Sequence, residues 1–291
     1  PFREELATNM KIALNGSLVW QGPADFEGWF KLAQAMGCEG VDVGVEGFAT
    51  AFPEDPVEGG LALIEKYQVA PSCFGLPLDF RGEEGAYLAS LEQFPRWAKL
   101  AADLNCPRMA TWIMPALPDP EGFRTVAGRR LKRAAQIAGE YGVRIGLEWV
   151  APYMSRQVEG SKPFIFTMDQ MLDWNVEIGE PNMGLLVDSW HWYHAGHTVD
   201  DLLALDVSQV VTCHINDAPD APKDTLGDVT DRVFPGEGVI DLKGFLGALK
   251  QIGYKDYFSP EVLNPTIKEN YSQDEALCKA IGNTRKLLNS L

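Results

Sequence analysis

The chain has 291 residues, with 41 Asp plus Glu against 25 Lys plus Arg, a formal charge of −16. A hydrophobic fraction of 46% belongs to a globular chain with a large core and excludes disordered, collagen-like and coiled-coil classes. The acidic balance opposes contact with polyanions, which need clustered Lys and Arg, so neither nucleic acid nor an anionic membrane is an expected partner.

Residues 1–9 read as an N-terminal extension before the first β-rich run, MKIALN at 10–15. Asn15-Gly16-Ser17-Leu18 follows it, which is not the glycine-rich phosphate turn of an open doubly wound sheet. Phe26, Phe30, Ala33 and Met36 then repeat at helical spacing and stop at Gly37. The same alternation continues to the end. Apolar, β-branched runs occur at 40–46, 69–77, 107–115, 144–152, 182–190, 210–217 and 257–264. They have the composition of buried parallel strands. Amphipathic stretches lie between and after them, around 61–67, 84–104, 123–141, 167–178, 199–205, 242–252 and 274–288. Thr167, Thr198 and Asp241 have N-cap chemistry; Gly142, Gly179 and Gly253 stand where a left-handed C-cap is expected.

Eight strand–helix units with right-handed crossovers close into a (β/α)8 TIM barrel, an α/β fold in which 1–291 forms one domain. Two connections are longer than joints need to be: 151–165 after strand five, and 218–238 after strand seven. Both leave the C-terminal ends of strands, where barrel enzymes carry their sites. The second is expected to act as a lid.

Four polar residues interrupt the last four strands near their C-terminal ends: Glu148 in GLEWV, Asp188 in GLLVDSWHW, His214 in VTCHIND and Glu261 in YFSPEVLN. A carboxylate in an apolar strand is costly unless it is paired, hydrogen-bonded or metal-bound. Each residue alone fits a polar side chain bonded to a barrel neighbour. Their recurrence at one level in four successive units points to a shared centre. Three carboxylates and one imidazole form a mostly hard donor set, favouring Mn2+ or Mg2+ over Zn2+. His191, three residues after Asp188, is placed to lean over that centre and to give a hydrogen bond to a substrate oxygen or bind a second metal. His194 and His197 read as rim positions. Trp20 and Trp112 offer flat apolar faces for a sugar ring, and Arg232 and Glu237 in DRVFPGEG are candidates to reach over the site. No GxSxG elbow or Walker loop is present. Cys213 is a poor nucleophile candidate, because adjacent residues on a strand face opposite ways and His214 is its neighbour.

The segments GLEWVAP, NMGLLVDSWHWYHAG, CHINDAPD, RVFPGEGVIDL and SPEVLNP resemble the xylose isomerase-like TIM-barrel family of sugar isomerases and epimerases. The resemblance implies a divalent metal held by Glu148, Asp188, His214 and Glu261, and substrate contact by His191. Mn2+ is the expected ion, with Mg2+ or Co2+ as alternatives. The expected activity is isomerisation or epimerisation of a ketose or cyclic polyol ketone by proton abstraction beside the carbonyl, with Glu148 and Glu261 as the acid–base pair. A lyase with the same metal site, either an inosose-type dehydratase or a 3-oxo-glycoside-cleaving enzyme, is the alternative. A metal-stabilised carbohydrate-binding subunit is the non-enzymatic one. Ketose 3-epimerases of the family carry an arginine six residues after the ligand histidine; here that position is Asp220, and Arg232 is the candidate substitute. The family's three-metal nuclease branch needs histidines on strands two and three, and no histidine precedes 191.

The five cysteines are odd in number, widely spaced and without a CxxC, so no disulfide framework is expected. With no basic-then-apolar leader at the start and no apolar stretch of about 18 residues, the expected setting is cytoplasmic. A homo-oligomer or a partner subunit is compatible with the sequence.

Overall fold

The computed structural model describes residues 10–291; the extension expected at 1–9 lies outside the described residues. Eight parallel strands close into a barrel: β1 (Lys11–Leu14), β2 (Gly40–Val43), β3 (Ala70–Gly75), β4 (Arg108–Ile113), β5 (Arg144–Trp149), β6 (Met183–Asp188), β7 (Val210–Ile215) and β8 (Tyr257–Pro260). Neighbours in sequence are neighbours in the ring, and β8 pairs with β1. Each of the eight apolar runs in the sequence contains one of these strands. Most of their residues are buried, because helices cover the outside and side chains fill the inside, which is why the runs are mainly apolar. A two-stranded antiparallel ribbon, Ala116–Leu117 against Lys162–Pro163, ties the loop after β4 to the loop after β5.

The helices bury one face each against the barrel. Leu242–Gln251 sinks Leu242, Phe245, Leu246, Ala248 and Leu249, a period of three and four. Thr167 and Thr198 each form a reciprocal capping box, and the Asp241 carboxylate accepts from the Gly244 N–H. Gly37, Gly142, Gly179 and Gly253 all have positive φ at the expected helix ends.

Two short helices lie where the sequence reads as strand. β2 stops at Val43, and Val45–Ala51 is helical. β6 stops at Asp188, and Ser189–Ala195 is helical because the Asp188 carboxylate accepts from the Trp190 N–H and caps it. His191 therefore stands on the first turn of a helix rather than in a loop.

The long segment after β7 folds against the barrel around one carboxylate. Asp217 is buried and accepts from the backbone N–H groups of Ala218, Gly236, Gly238 and Ile240. It also forms a backbone bridge with Val233. Gly236 has φ of 80°, and a Cβ at Gly238 would run into the Ala218 carbonyl and the Asp217 side chain, so both positions require glycine. The Asn264 side chain donates to the Arg232 carbonyl. Both ends of the expected lid are thus tied to Asp217 at the end of β7.

Candidate active site

The four strand-end residues all lie at or just past the C-terminal ends of consecutive strands. Asp188 on β6 pairs beside His214 on β7. Ser259 on β8 lies beside His214, and Pro260 beside Ile215. Glu261 follows and continues the pattern, its N–H donating to the Ile215 carbonyl. Glu148 lies on β5 beside Trp112 on β4. The structure brings Glu148, Asp188, His214 and Glu261 together at the C-terminal mouth. The ligand atoms of Asp188, His214 and Glu261 lie within 4.8 Å of one another, as do those of Glu148, Asp188 and His191.

Asp188 is fully buried. Its Oδ1 accepts from the Trp190 N–H at 2.8 Å and from Asn216 Nδ2 at 2.9 Å; its Oδ2 accepts from Arg232 Nη1 at 2.9 Å. The same Nη1 donates to Glu261 Oε2 at 2.8 Å, and Arg232 Nη2 donates to Asp228 Oδ1 at 2.9 Å. Arg232 is 1% exposed. Its guanidinium joins three carboxylates, and they hold its pKa above the ordinary value against the opposing effect of burial. Arg232 lines the cavity and is turned inward onto these carboxylates.

The unpaired atoms of the cluster decide whether it fits a cation. Glu148 Oε1 and His214 Nδ1 are both buried with no hydrogen-bond partner among the described residues. They are 3.9 Å apart, and His214 Nδ1 is 3.4 Å from Glu261 Oε2. Buried unsatisfied polar atoms are rare and costly. Two that face each other amid further carboxylates are a donor set that a divalent ion would satisfy. The pKa shifts follow the same charges. Burial, then Asp188 and Glu261, push Glu148 well above the usual carboxylate range. Burial would also raise Glu261, but His214 and Arg232 outweigh it and hold Glu261 well below that range. Burial would lower His214, yet Glu261, Glu148 and Asp188 raise it to about 10.

His191 has a fixed tautomer. Its Nδ1 accepts from the Ala151 N–H at 3.2 Å, so the proton resides on Nε2. Burial lowers its pKa and keeps the ring neutral. Nε2 lies 3.9 Å from Glu148 Oε1 and 3.8 Å from Asp228 Oδ1. A protonated Nε2 is a hydrogen-bond donor and cannot also be a metal ligand, which removes the second-metal alternative for this tautomer.

A cavity of about 420 Å3 opens above the cluster, lined by Trp112, Glu148, His191, Asp228, Arg232 and Glu261, with Pro115, Val150, Ser155, Val229 and Leu263. Its mixture of apolar wall and convergent polar groups is that of a small-molecule site. Trp112 is half exposed at its edge and carries the Arg81 guanidinium 4.7 Å from its ring centre.

Two expected site residues do not join it. Glu237 pairs with Lys279 at 3.1 Å and accepts from Asn283 on the C-terminal helix. The Asp217 carboxylate grips the N–H groups on either side of Glu237, those of Gly236 and Gly238, and turns its side chain outward. Trp20 is one-third exposed and does not line the cavity. The next residue is tied by its N–H to Gln273, at the start of the C-terminal helix. Nor do His194 and His197 behave as free rim residues. His197 Nε2 accepts from the Met168 N–H, and the His194 ring packs 4.4 Å from that of Trp190, its pKa pushed down to about 3 chiefly by burial.

The sequence reading missed Asp228 and Asn216. Asn216, two residues after His214, orients Asp188 and donates to the Glu261 carbonyl. Asp228 sits in a polar loop whose composition hides it, although its i,i+4 spacing to Arg232 was a usable signal.

Among the described residues, no helix is long and apolar enough to cross a membrane. Cys38, Cys73, Cys106, Cys213 and Cys278 are unpaired, the first four buried.

Comparison with known proteins gives a consistent picture. The model of the xylose isomerase-like TIM-barrel family matches residues 30–282. An inosose isomerase from Bacillus velezensis is 36% identical over 145 residues, 50% of this chain and 49% of that protein, so the chain spans about half the length of this curated relative. A ketose 3-epimerase from Arthrobacter globiformis is 26% identical over 274 residues, 89% of this chain and 87% of the relative. A xylose isomerase domain protein of known structure from Alicyclobacillus acidocaldarius subsp. acidocaldarius superposes with a TM-score of 0.88 at 30% identity, covering 96% of this chain and 98% of that one.

Proposed function

Since the chain belongs to the xylose isomerase-like TIM-barrel family, we propose that it is a divalent-metal-dependent enzyme that isomerises or epimerises a ketose or cyclic polyol ketone. The observation that carries this reading is the pair of buried, unpartnered atoms, Glu148 Oε1 and His214 Nδ1, facing each other beside Asp188 and Glu261. Glu148, Asp188, His214 and Glu261 would hold the ion, with Mn2+ or Mg2+ suited to a donor set rich in carboxylate. A bound divalent ion supplies Lewis-acid polarisation of substrate oxygens.

The remaining work falls to this chain's side chains. Glu148 on β5 and Glu261 after β8 face the cavity from strands three apart in the ring, so they approach a bound sugar from different sides. One removes the proton from the carbon beside the carbonyl and the other returns it. His191 Nε2–H donates to a substrate oxygen, and Trp112 offers its half-exposed ring to the CH face of the sugar.

A lyase reading uses the same geometry: a carboxyl group facing the cavity, Glu148 or Glu261, protonates a departing hydroxyl instead of returning a proton to carbon. Product mass separates the two: an isomer retains the substrate mass and a dehydration product lacks one water. The test of the reading is a pair of conservative variants. Glu148→Gln and Glu261→Gln each keep an oxygen ligand and remove the proton acceptor. With metal content matched to wild type, turnover of ketoses or inososes should fall by about 10²–10⁴ in each. Turnover unchanged in both variants would overturn the acid–base assignment.

A further inference from the structure

Of the four proposed ligands, Glu148 and Glu261 line the cavity, and a further carboxylate faces it without belonging to that set. Asp228 lines the cavity, and its side chain is 20% exposed. It is fixed twice by Arg232: Nη2 donates to Oδ1 at 2.9 Å, and Nε donates to the Asp228 carbonyl at 2.9 Å. The same arginine is fixed by Asp188 and Glu261. Asp228 is therefore held in one place by the floor of the site, although it lies on a loop. A carboxylate offers about four lone-pair sites. In Asp228, Arg232 occupies one of those on Oδ1.

His191 stands across from it. The Nε2–H, committed to donation by the Ala151 N–H on the opposite ring nitrogen, lies 3.8 Å from Asp228 Oδ1. That gap is too long for a hydrogen bond between the two. The pair thus presents a donor and an acceptor side by side with neither saturating the other. A hydroxyl, which donates and accepts at once, satisfies both.

Charge narrows the class of ligand. Glu148, Asp188, Glu261 and Asp228 meet at this cavity or directly beneath it. Among the described residues, Arg232 is the one Lys or Arg lining it, and its Nη1 and Nη2 already donate to three carboxylates. Even with a divalent ion added, the acidic charges outnumber the positive ones. A phosphate or carboxylate on the substrate would find no free guanidinium or ammonium in the lining itself; Arg81, outside it against the Trp112 ring, donates to Thr111 Oγ1 and the Trp112 carbonyl.

We propose that Asp228 and His191 form a specificity pair that reads one hydroxyl of an uncharged polyhydroxy ketone. Asp228 accepts from that hydroxyl while His191 donates to it. This deepens the functional reading above and rests on it. Neither residue belongs to the proposed metal set, so the pair fixes the orientation of the substrate while the basicity of Glu148 and Glu261 is committed elsewhere.

The experiment is a cycle between protein and ligand. An inosose and its set of mono-deoxy analogues are bound to wild-type, Asp228→Asn and Asp228→Ala protein, loaded with Mn2+, by calorimetry. Metal content and unfolding midpoint are recorded for each variant. In wild type, one particular analogue should bind about tenfold to hundredfold more weakly than the parent, the usual loss for a hydrogen bond to a charged group. In Asp228→Ala the parent should weaken by a similar factor, and that one analogue should lose nothing further. Asp228→Asn should fall between wild type and Asp228→Ala. A role for Asp228 solely in holding Arg232 would instead weaken every analogue by the same factor in both variants, and that result overturns the pair. Equal binding of a phosphorylated ketose and its neutral counterpart would overturn the charge assignment. If no inosose or ketose binds wild-type protein at all, the functional reading falls and the specificity pair falls with it; loss confined to the variants' analogue pattern leaves that reading standing.

Discussion

Replacing Arg232 by methionine keeps most of the aliphatic stem and removes the guanidinium that joins Asp188 at 2.9 Å, Glu261 at 2.8 Å and Asp228 at 2.9 Å. Asp188 is fully buried, so water replaces its lost donor poorly. Breaking a buried ion pair by removing one partner typically costs about 3–5 kcal/mol, because the charge left behind is uncompensated. Here two carboxylates beneath the mouth share one Nη1, which places the expected loss in the upper half of that range for the metal-free protein. Saturating Mn2+ returns positive charge to the same carboxylates, so the loss should shrink to about half or less. Urea unfolding in chelator and in Mn2+ reads both numbers, with m-values compared to confirm that the unfolding transition itself is unchanged. A loss under about 1 kcal/mol in chelator would refute the claim that Arg232 is the internal counter-charge of the cluster. An equal loss with and without metal would refute the claim that the ion acts on those same carboxylates.

Asp217→Ala removes the acceptor for four N–H groups of the segment after β7. It should speed hydrogen exchange at Gly236, Gly238 and Ile240 selectively and lower stability by about 2–4 kcal/mol; unchanged protection there would contradict the anchoring role of Asp217. Metal affinity should rise with pH between about 6 and 9, by up to one decade per unit for each proton released. The reason is that the His214 ring, raised to about 10 in the ion-free site, must lose a proton before Nδ1 can bind. A flat affinity over that range, measured by competition with a chelating dye, would count against His214 as a ligand. The same raised pKa favours the ion-free protein fully below the ordinary histidine value of 6.5, and this contribution is lost as pH rises through about 10. Unfolding of chelated protein should therefore become easier from pH 7 to pH 10, and His214→Ala should flatten that trend.

The barrel was legible because parallel strands buried on both faces demand mainly apolar runs, and eight such runs stand in the sequence. The helix ends were legible where glycine must take positive φ, as at Gly179, or where a capping box is spelled out, as at Thr167. Glu148, Asp188, His214 and Glu261 stood out because each breaks an apolar run at the same level. What could not be read depends on contacts across the fold. The helix Ser189–Ala195 has seven residues, too few to show a period, and it starts where the Asp188 side chain caps it. The outward turn of Glu237 is set by Asp217 gripping both neighbouring N–H groups, a relation across some 20 positions that no local pattern encodes. Asp228 carries no mark beyond its spacing from Arg232 in a loop where most polar residues face solvent. Its importance appears only when that arginine is seen turned inward.

The central claim is that this site moves a proton at the carbon beside a carbonyl, and that it needs a divalent ion to do so. Deuterium incorporation tests both parts at once. Inososes and ketoses are incubated in D2O with purified protein, with Mn2+ or with chelator, and followed by proton NMR. The account predicts loss of the signal from the hydrogen beside the carbonyl in the presence of Mn2+, restored to the uncatalysed rate by chelation and strongly slowed in Glu148→Gln or Glu261→Gln. Exchange that proceeds unchanged in chelator, or product formed with no deuterium at that carbon, would contradict it.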